Sequence, residues 1–224
     1  MTTVAVRGEA VREVDPELAE FTVVVSARDR DRDTTLARLR ERADALRQFL
    51  ERFGDAVDKQ ETTGLHVYPE SAGRRGERVT AYAGSLVTTV TVSGFAALGE
   101  MMLAVAGQDQ VQVRGPRWSL RPDSPVHKDL RREAVADAIA RAREYAEALG
   151  AQVIELVELA DPGLSGQVEG LLPVGFQPGY GSQSLRAKSS ATAGGYAELE
   201  LGPQRQRVSA AVEARFTITS PTGL

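Results

Sequence analysis

Two runs of alternating apolar and polar residues open the chain and meet at Asp15-Pro16. In the second run Phe21, Val23 and Val25 share one face, as expected of a strand whose side chains point to opposite sides in turn. Proline fixes φ and has no N–H to donate to a strand ladder, so the chain must turn at this dipeptide. The first thirty residues therefore predict two strands joined by a corner, and the fold must contain a β-sheet.

The composition is that of an ordinary globular chain, and it excludes several classes of function. The 224 residues are 42% hydrophobic and 26% charged, enough for one large domain or two small ones. A formal net charge of −4 gives no basic footprint for a nucleic acid or an anionic membrane. The absence of cysteine excludes disulfides, thiolate nucleophiles and cysteine-based metal sites.

The sequence as it begins lacks the features of a secretory signal. Such a signal has a basic start, an apolar run of roughly 7–15 residues and a small-residue cleavage site. Here Met1-Thr2-Thr3 leads directly into the first predicted strand. No window approaches the run of about 20 apolar residues that a membrane span needs. We therefore expect a cytoplasmic protein with no membrane span.

Three segments carry apolar residues at helical spacing. We expect the first helix to begin after Asp33 as its N-cap and to stop at Gly54. The second is expected between Ser93 and Gly107, and the third from about Val126 to Gly150. The apolar positions that predict these three amphipathic helices are Leu36, Leu39, Ala43, Leu46, Phe49, Leu50 and Phe53; Phe95, Leu98, Met101, Met102 and Val105; and Leu130, Ala134, Val135, Ala138, Ile139, Ala142, Tyr145, Ala146 and Leu149.

The other periodic segments predict strands. Residues 57–70 are extended, with Leu65, Val67 and Tyr68 as core candidates, and 78–93 form the second arm of a long hairpin after a polar loop at 71–77. Shorter strands are expected at 111–120, with a bulge or kink at Gly115-Pro116, and at 152–159. The last strand is expected to place Val208, Ala210, Val212, Ala214, Phe216 and Ile218 inside and Ser209, Glu213, Arg215 and Thr217 outside.

Residues 161–196 break the pattern, because they are rich in Gly, Ser, Pro and Ala and show no sustained period. A loop this long inside a compact domain is either functional or disordered, and we expect a flexible insert over 161–203. If a pocket lies beneath it, the side chains best suited to act as a lid are Phe176, Tyr180, Arg186 and Lys188.

The residues show no catalytic constellation. Neither His66 nor His127 has a His, Asp or Glu at a recognised metal spacing, and Gly163-Leu-Ser-Gly166 does not have the spacing of a nucleophile elbow. Glu20 and Glu61 are a candidate acid/base pair that would face each other in a cleft, and only their being carboxylates near strands supports it. The alternating charges of Arg28–Asp33 are typical of a solvated turn leading into a helix, with a docking epitope as the alternative. We therefore predict no enzyme activity, no cofactor and no metal.

The order of these elements is similar to that of the SIMPL-domain family over essentially all 224 residues. The resemblance implies a single α+β domain over 1–224, with room for two lobes: a twisted, mostly antiparallel sheet, three amphipathic helices and a long Gly/Pro-rich insert before the last strand. The segments that carry the resemblance are Val6-Arg-Gly-Glu9, Asp15-Pro16, Gln60-Glu-Thr-Thr-Gly-Leu65, Tyr82-Ala-Gly-Ser-Leu-Val-Thr-Thr-Val-Thr-Val92, Arg132-Glu-Ala-Val-Ala-Asp-Ala-Ile-Ala-Arg-Ala-Arg143 and Tyr145-Ala-Glu-Ala-Leu-Gly150.

Two functions from different classes follow. The resemblance implies self-assembly into rings or larger homo-oligomers and no established catalytic residues. Many bacterial relatives are exported envelope proteins linked to stress tolerance, and the animal relative associates with a signalling kinase. The first hypothesis is thus a non-enzymatic, homo-oligomeric protein with a role in stress tolerance and an unidentified protein partner. The alternative is a small-molecule-binding protein or hydrolase with a pocket under the 161–196 loop.

Overall fold

The computed structural model describes residues 2–72, 78–164 and 201–222, and these form an α+β fold with three α-helices and antiparallel sheets of three and four strands. The fold class predicted from the sequence is confirmed, with the strands divided between two sheets. In chain order the elements are β1 (Thr2–Val14), β2 (Leu18–Asp29), α1 (Arg32–Glu51), β3 (Val57–Ala72), β4 (Arg78–Val92), α2 (Leu98–Ala106), β5 (Val111–Ser119), α3 (Pro125–Ala148), β6 (Val153–Ala160) and β7 (Gln206–Ile218).

The described chain divides into two compact units. The three-stranded unit holds a sheet of order β1-β7-β6 with α3, and the four-stranded unit holds a sheet of order β3-β4-β2-β5 with α1 and α2. The first boundary between them falls directly before Asp15-Pro16, where β1 has ended and β2 has not begun. The break between strands that was predicted at this dipeptide is present, and the strands before and after it belong to different sheets.

The core of the four-stranded unit lies between its sheet and its two helices. Ala19, Phe21, Val23 and Val25 are almost fully buried, which confirms the face predicted for β2. Phe21 lies opposite Val90 of β4, so the same face continues across the sheet. Both helix methionines belong to this core, with Met101 fully buried, which is the packing role expected from their spacing.

The cap of the first helix lies two residues before the expected one. Asp31 is extended, with φ −102° and ψ 136°, and its carboxylate accepts the Thr34 N–H at 2.8 Å. Asp31 is therefore the N-cap, and the prediction of Asp33 was wrong, because Asp33 already lies in the first turn. The hydrogen bonds from the backbone and side chain of Thr34 lower the pKa of Asp31.

The expected cap of the second helix was also wrong. A short 3-10 turn at Phe95–Ala97 precedes α2, so the helix begins at Leu98, well beyond Ser93. The Ser93 hydroxyl instead donates to the Asp58 carboxylate at 2.9 Å.

The β3–β4 hairpin forms as predicted, with antiparallel pairing from Val57 opposite Val92 to Ala72 opposite Arg78. Two of its core candidates were wrong, because Leu65 is 57% exposed and Tyr68 is 55% exposed. The cause is position, since β3 is an edge strand and α1 contacts it at few points. The alternation of apolar residues identified the strand, but it could not show how little of the strand α1 covers.

The break predicted in β5 is a bulge against β2, between Glu20 and Thr22. Gly115 lies there with φ +121°, a conformation that L side chains rarely adopt. A Cβ at Gly115 would also lie 3.0 Å from the Glu20 carbonyl oxygen, so the close approach of β2 requires glycine.

In the three-stranded unit α3 packs on β1 through a row of small residues. Ala134, Ala138 and Ala142 are fully buried at four-residue spacing, and Gly8 lies beneath them. A row at four-residue spacing runs obliquely around the helix and does not include Tyr145, which is 56% exposed. The prediction that Tyr145 belongs to the apolar stripe was therefore wrong. The helix ends as expected, with Gly150 at φ +66°.

The last strand, β7, lies between β1 and β6 and buries Val212, Ala214, Phe216 and Ile218. Thr217 was expected outside but is 6% exposed, because it is a short side chain in the central strand with Glu155 directly opposite on β6. Most of the expected insert at 161–203, including all of 165–200, lies outside the described residues.

Candidate functional site

Within the described residues, the feature best suited to bind a partner is the edge of the three-stranded sheet that β6 forms. Four apolar side chains of β6 are exposed: Ile154 by 60%, Leu156 by 52%, Val157 by 53% and Leu159 by 48%. We call these four residues the β6 ledge. Half of an eight-residue strand is thus apolar and open to water, whereas strands that are open on one side usually alternate with polar residues.

The exposure of the β6 ledge follows from the position of α3. The helix contacts β1 along much of its length and β6 at few positions. Leu156 lies directly opposite Phe216, and Leu159 opposite Ala214, so both point to the side of the sheet that carries α3. These leucines extend the hydrophobic face of the sheet beyond the area that the helix covers.

Charges near the β6 ledge lie on the other face of the sheet. Glu155 is opposite Thr217 and Glu158 is opposite Arg215, both on the face away from α3. The strand carries no lysine, arginine or proline. Its charged residues therefore lie on the face opposite to Leu156 and Leu159.

The other three sheet edges that the structure describes carry residues that discourage association. The outward residues of β1 include Arg7 and Arg12, β3 carries Lys59 and Pro69, and β5 carries Arg114, Pro116 and Arg117. Charged side chains and proline on an edge strand are the usual protection against edge-to-edge pairing. The edge formed by β6 carries two glutamates, Glu155 and Glu158, but no lysine, arginine or proline.

In the described part of the four-stranded unit, a polar cluster surrounds Asp58. The Arg121 guanidinium donates to both carboxylate oxygens of Asp58, at 2.6 and 3.1 Å, and the Ser93 hydroxyl donates at 2.9 Å. The hydrogen bonds from Arg121, and then that from Ser93, lower the pKa of Asp58, and partial burial opposes them. The Arg121 backbone N–H also donates to Glu17, so the cluster ties together the starts of β2 and β3 and the end of β5.

The candidate acid/base pair is not brought together. Glu20 accepts a hydrogen bond from Arg117 at 2.8 Å, and Glu61 forms an ion pair with Lys59 at 2.7 Å. Strand β4 lies between their strands, so two interstrand spacings, or about 10 Å, separate the two backbones. Each carboxylate therefore has its own cationic partner, and the two are not neighbours.

Three charges of the run at Arg28–Asp33 have partners within the four-stranded unit. Arg28 pairs with Glu70 at 2.7 Å, Asp29 pairs with Arg38 at 3.0 Å, and Asp31 caps α1. These contacts support the interpretation of the run as a solvated turn that leads into the helix.

The remaining candidates are dispersed or undescribed. His66 is exposed on β3, and His127 lies in the first turn of α3 beside a cleft of about 610 Å³ that Lys128 and Arg131 also line. Within residues 2–72, 78–164 and 201–222, no three His, Cys, Asp or Glu side chains come close enough to hold a metal ion. The four proposed lid residues, Phe176, Tyr180, Arg186 and Lys188, lie outside the described residues.

Analysis of the sequence alone missed the β6 ledge, although a signal was present. Residues 153–159 repeat with a period of three, so that Val153, Leu156 and Leu159 form one row while Glu155 and Glu158 form another. In β2, by contrast, buried residues alternate with a period of two from Ala19 to Ala27. A change of period in a strand is typical of inserted residues, and here it marks the free edge.

None of the described helices is both long enough and apolar enough to span a membrane.

Comparison with known proteins identifies the family. A search of curated proteins finds no match to the chain. The family model named SIMPL, described as a protein of unknown function (DUF541), matches residues 4–216 and so spans nearly the whole chain. The resemblance predicted from the order of strands and helices is confirmed, and the chain belongs to the SIMPL family.

Proposed function

We propose that this protein is a non-enzymatic module that assembles with copies of itself, and that the β6 ledge is a contact surface between the copies. The observation that carries the proposal is the exposure of four apolar side chains, each by 48–60%, on a sheet edge without lysine, arginine or proline. Several large apolar side chains exposed on one strand are typical of an interaction site.

The size of the β6 ledge sets the strength of the expected contact. Complete burial of an aliphatic side chain contributes about 1.5–3 kcal/mol of favourable free energy. Burial of the exposed half of each ledge residue on association would therefore contribute about half of that amount. Two ledges in contact would then contribute roughly 6–12 kcal/mol, against an association cost of about 4–15 kcal/mol. We therefore expect an affinity no tighter than about micromolar from this surface alone.

Replacement of Leu156 by glutamate tests the proposal. The substitution removes one apolar contact from each copy and introduces a carboxylate that assembly would have to desolvate. We expect the association constant, measured by sedimentation equilibrium, to fall at least about 30-fold, because two contacts of about 1 kcal/mol each are lost. The circular dichroism spectrum is expected to stay that of the wild type, because the side chain is 52% exposed.

Val11→Glu is the matched control. Val11 is 51% exposed and lies on β1, the opposite edge strand of the same sheet. The control adds the same charge to the same unit and is expected to leave the association constant within about twofold of the wild-type value, since exposed substitutions have small effects. Equal loss of association in both variants would contradict a specific role for β6.

A role in stress tolerance and the small-molecule pocket stay predictions. The residues that would form the pocket lid lie outside the described residues. A thermal-shift screen against metabolites and metals tests the pocket: stabilisation abolished by Tyr180→Ala would support it, and silence across the screen would contradict it.

A further inference from the structure

A small cleft lies between α1 and the β3–β4 hairpin of the four-stranded unit. Its volume is about 220 Å³, and its lining includes Leu46 of α1, Thr62 of β3 and Thr88 of β4. Thr88 is opposite Val23 of β2, a fully buried core residue, so its side chain points to the core face of the sheet. The cleft therefore lies at the margin of the hydrophobic core, where α1 contacts β3 at few points.

The hydroxyl of Thr88 is the unusual feature of this cleft. The residue is only 8% exposed, and its hydroxyl has no hydrogen-bond partner among the residues that the structure describes. No side-chain nitrogen or oxygen in those residues is both fully enclosed and unpaired, so this hydroxyl must reach the open space of the cleft. Valine has nearly the same shape, packs well in strands and avoids the cost of an unpaired buried hydroxyl. Packing alone therefore does not explain a threonine here.

Two further uncharged polar side chains line the cleft beside Thr88. Thr62 lies directly opposite Thr88 on β3, and Gln60 lies two residues earlier on the same strand. A threonine hydroxyl both donates and accepts a hydrogen bond, and a glutamine amide has two donors and an acceptor. The lining can therefore pair with several hydroxyl groups of one ligand.

The charged residues of the lining leave it electrically neutral. Arg47 and Glu61 carry opposite charges, and each is paired with a residue outside the lining. Arg47 forms an ion pair with Asp44 at 3.2 Å, and Glu61 forms one with Lys59 at 2.7 Å. A charged ligand would meet no unpaired opposite charge in this cleft, so the lining favours a neutral ligand.

The apolar part of the lining and the volume set the size of that ligand. Ala43 and Leu46 of α1 and Leu86 of β4 provide an apolar surface. A volume of about 220 Å³ equals that of about seven water molecules at about 30 Å³ each. Since bonded atoms pack more closely than liquid water, a ligand of about a dozen non-hydrogen atoms fits.

We propose that this cleft binds a small neutral ring that carries several hydroxyl groups, as in a monosaccharide or a cyclic polyol. The hydroxyl of Thr88 pairs with one ligand hydroxyl, and Thr62 and Gln60 pair with others. One face of the ring covers Leu46 and Leu86. A few polar groups placed in a partly apolar pocket are the usual means by which a ligand is oriented. This binding goes beyond the proposed self-assembly and does not depend on it.

Amide NMR spectra of the full chain test the site, with D-glucose, D-galactose, D-mannose and myo-inositol as probes. A ligand of this size is expected to bind with a dissociation constant of about 1 mM, so each probe is titrated to about 50 mM. We expect at least one probe to shift the signals of residues 60–62 and 86–88 in a saturable manner. Saturation by a sugar would assign a monosaccharide, and saturation by myo-inositol alone would assign a cyclic polyol.

Thr88→Val tests the role of the hydroxyl. We expect the affinity for the bound probe to fall at least about fivefold, because a ligand hydroxyl loses its partner. Thr88→Ser keeps the hydroxyl and is expected to stay within about threefold of the wild type. Thr89→Val is the matched control, because Thr89 is the next residue of β4 and points to the opposite face, and it is expected to stay within about twofold.

Urea unfolding separates binding from stability. Thr88→Val is expected to be at least as stable as the wild type, since it removes an unpaired buried hydroxyl. A marked loss of stability would show that the hydroxyl has a partner within the fold and would overturn the site.

The remaining outcomes decide the ligand class. Equal weakening by Thr88→Val and Thr89→Val, or no shift at the cleft from any of the four probes, would overturn the proposal. L-Leucine and inorganic phosphate serve as zwitterionic and anionic probes, and a shift at the cleft from either of them alone would overturn the neutral ligand. Sedimentation measures self-assembly separately, so failure of this proposal leaves the proposed function intact.

Discussion

Replacement of Gly8 by alanine tests how closely α3 is seated on β1. A Cβ at this position would lie 2.0 Å from the Ala134 carbonyl oxygen and 2.6 Å from the Ala138 amide nitrogen. Both atoms belong to the helix backbone, so no side-chain rotation can relieve the clash. Ordinary contact begins at 3.4 Å, and the helix would have to retreat by about 1.4 Å to restore it at the carbonyl oxygen.

The size of the expected loss of stability depends on the contacts that this displacement of α3 from β1 would break. A gap of about 0.5–1 Å already loses a quarter to a half of the dispersion energy between touching atoms, and the buried alanine row would separate from the sheet together. Overpacking usually costs about 1–3 kcal/mol, and a rigid obstacle places this site at the upper end. We expect the free energy of unfolding of the three-stranded unit to fall by about 3 kcal/mol, a large part of a typical domain's stability.

Urea unfolding followed by circular dichroism measures the effect, with Gly64→Ala as the control. Gly64 also lies in a strand, but a Cβ there would have its nearest neighbours at 3.6 Å. Both substitutions reduce the entropy of the unfolded chain in the same way, so their difference isolates the clash. The control is expected to be within about 1 kcal/mol of the wild type. A Gly8→Ala protein as stable as the control would refute the close seating of α3.

Two further predictions concern the carboxylates with lowered pKa values. Asp58→Asn is expected to lower stability by a constant amount near neutral pH. Because the pKa of Asp58 is lowered in the folded protein, its contribution is complete above the ordinary value of 3.8 and is lost as the pH falls through the folded value, so the urea midpoints of variant and wild type should converge below that pH. A difference independent of pH down to acid unfolding would contradict the role of Arg121. Asp31→Ala is expected to lower the melting temperature more than Asp33→Ala, and equal effects would contradict the assignment of the N-cap.

Local patterns in the sequence predicted most of the strands and helices but not their neighbours. The two-residue period of β2 places Phe21 and Val23 in the core whichever strands lie beside it, and the structure agrees. The same period in β3 made Leu65 a core candidate, and that was wrong because β3 lies at an edge that α1 barely covers. Strand pairing depends on contacts distant in sequence, which also explains why alternation alone did not separate two sheets.

Cap positions failed for a different reason. Several polar residues precede α1, and the choice among them depends on backbone geometry that composition does not determine. Asp31 and Asp33 are chemically identical, and only the extended backbone of Asp31 lets its carboxylate reach the Thr34 N–H. Ser93 is of a residue type that often caps helices, but a 3-10 turn separates it from α2. Its hydroxyl donates to the Asp58 carboxylate instead.

The β6 ledge was beyond the sequence analysis because its exposure is a tertiary property. The repeat Val153-Ile-Glu-Leu-Val-Glu-Leu159 contains the apolar residues, but whether they face a core or water depends on how far α3 extends over the sheet. The glutamates at every third position were the one local sign that the strand carries bulges rather than regular alternation.

Sedimentation equilibrium of the native chain tests the central claim most directly. The measurement spans about 1 µM to about 1 mM, where association free energies of about 8 to 4 kcal/mol become visible. Self-assembly predicts an average mass that exceeds the 24.1 kDa of one chain and reaches a discrete multiple of it within this range. A mass that remains at 24.1 kDa up to the highest concentration would contradict the account.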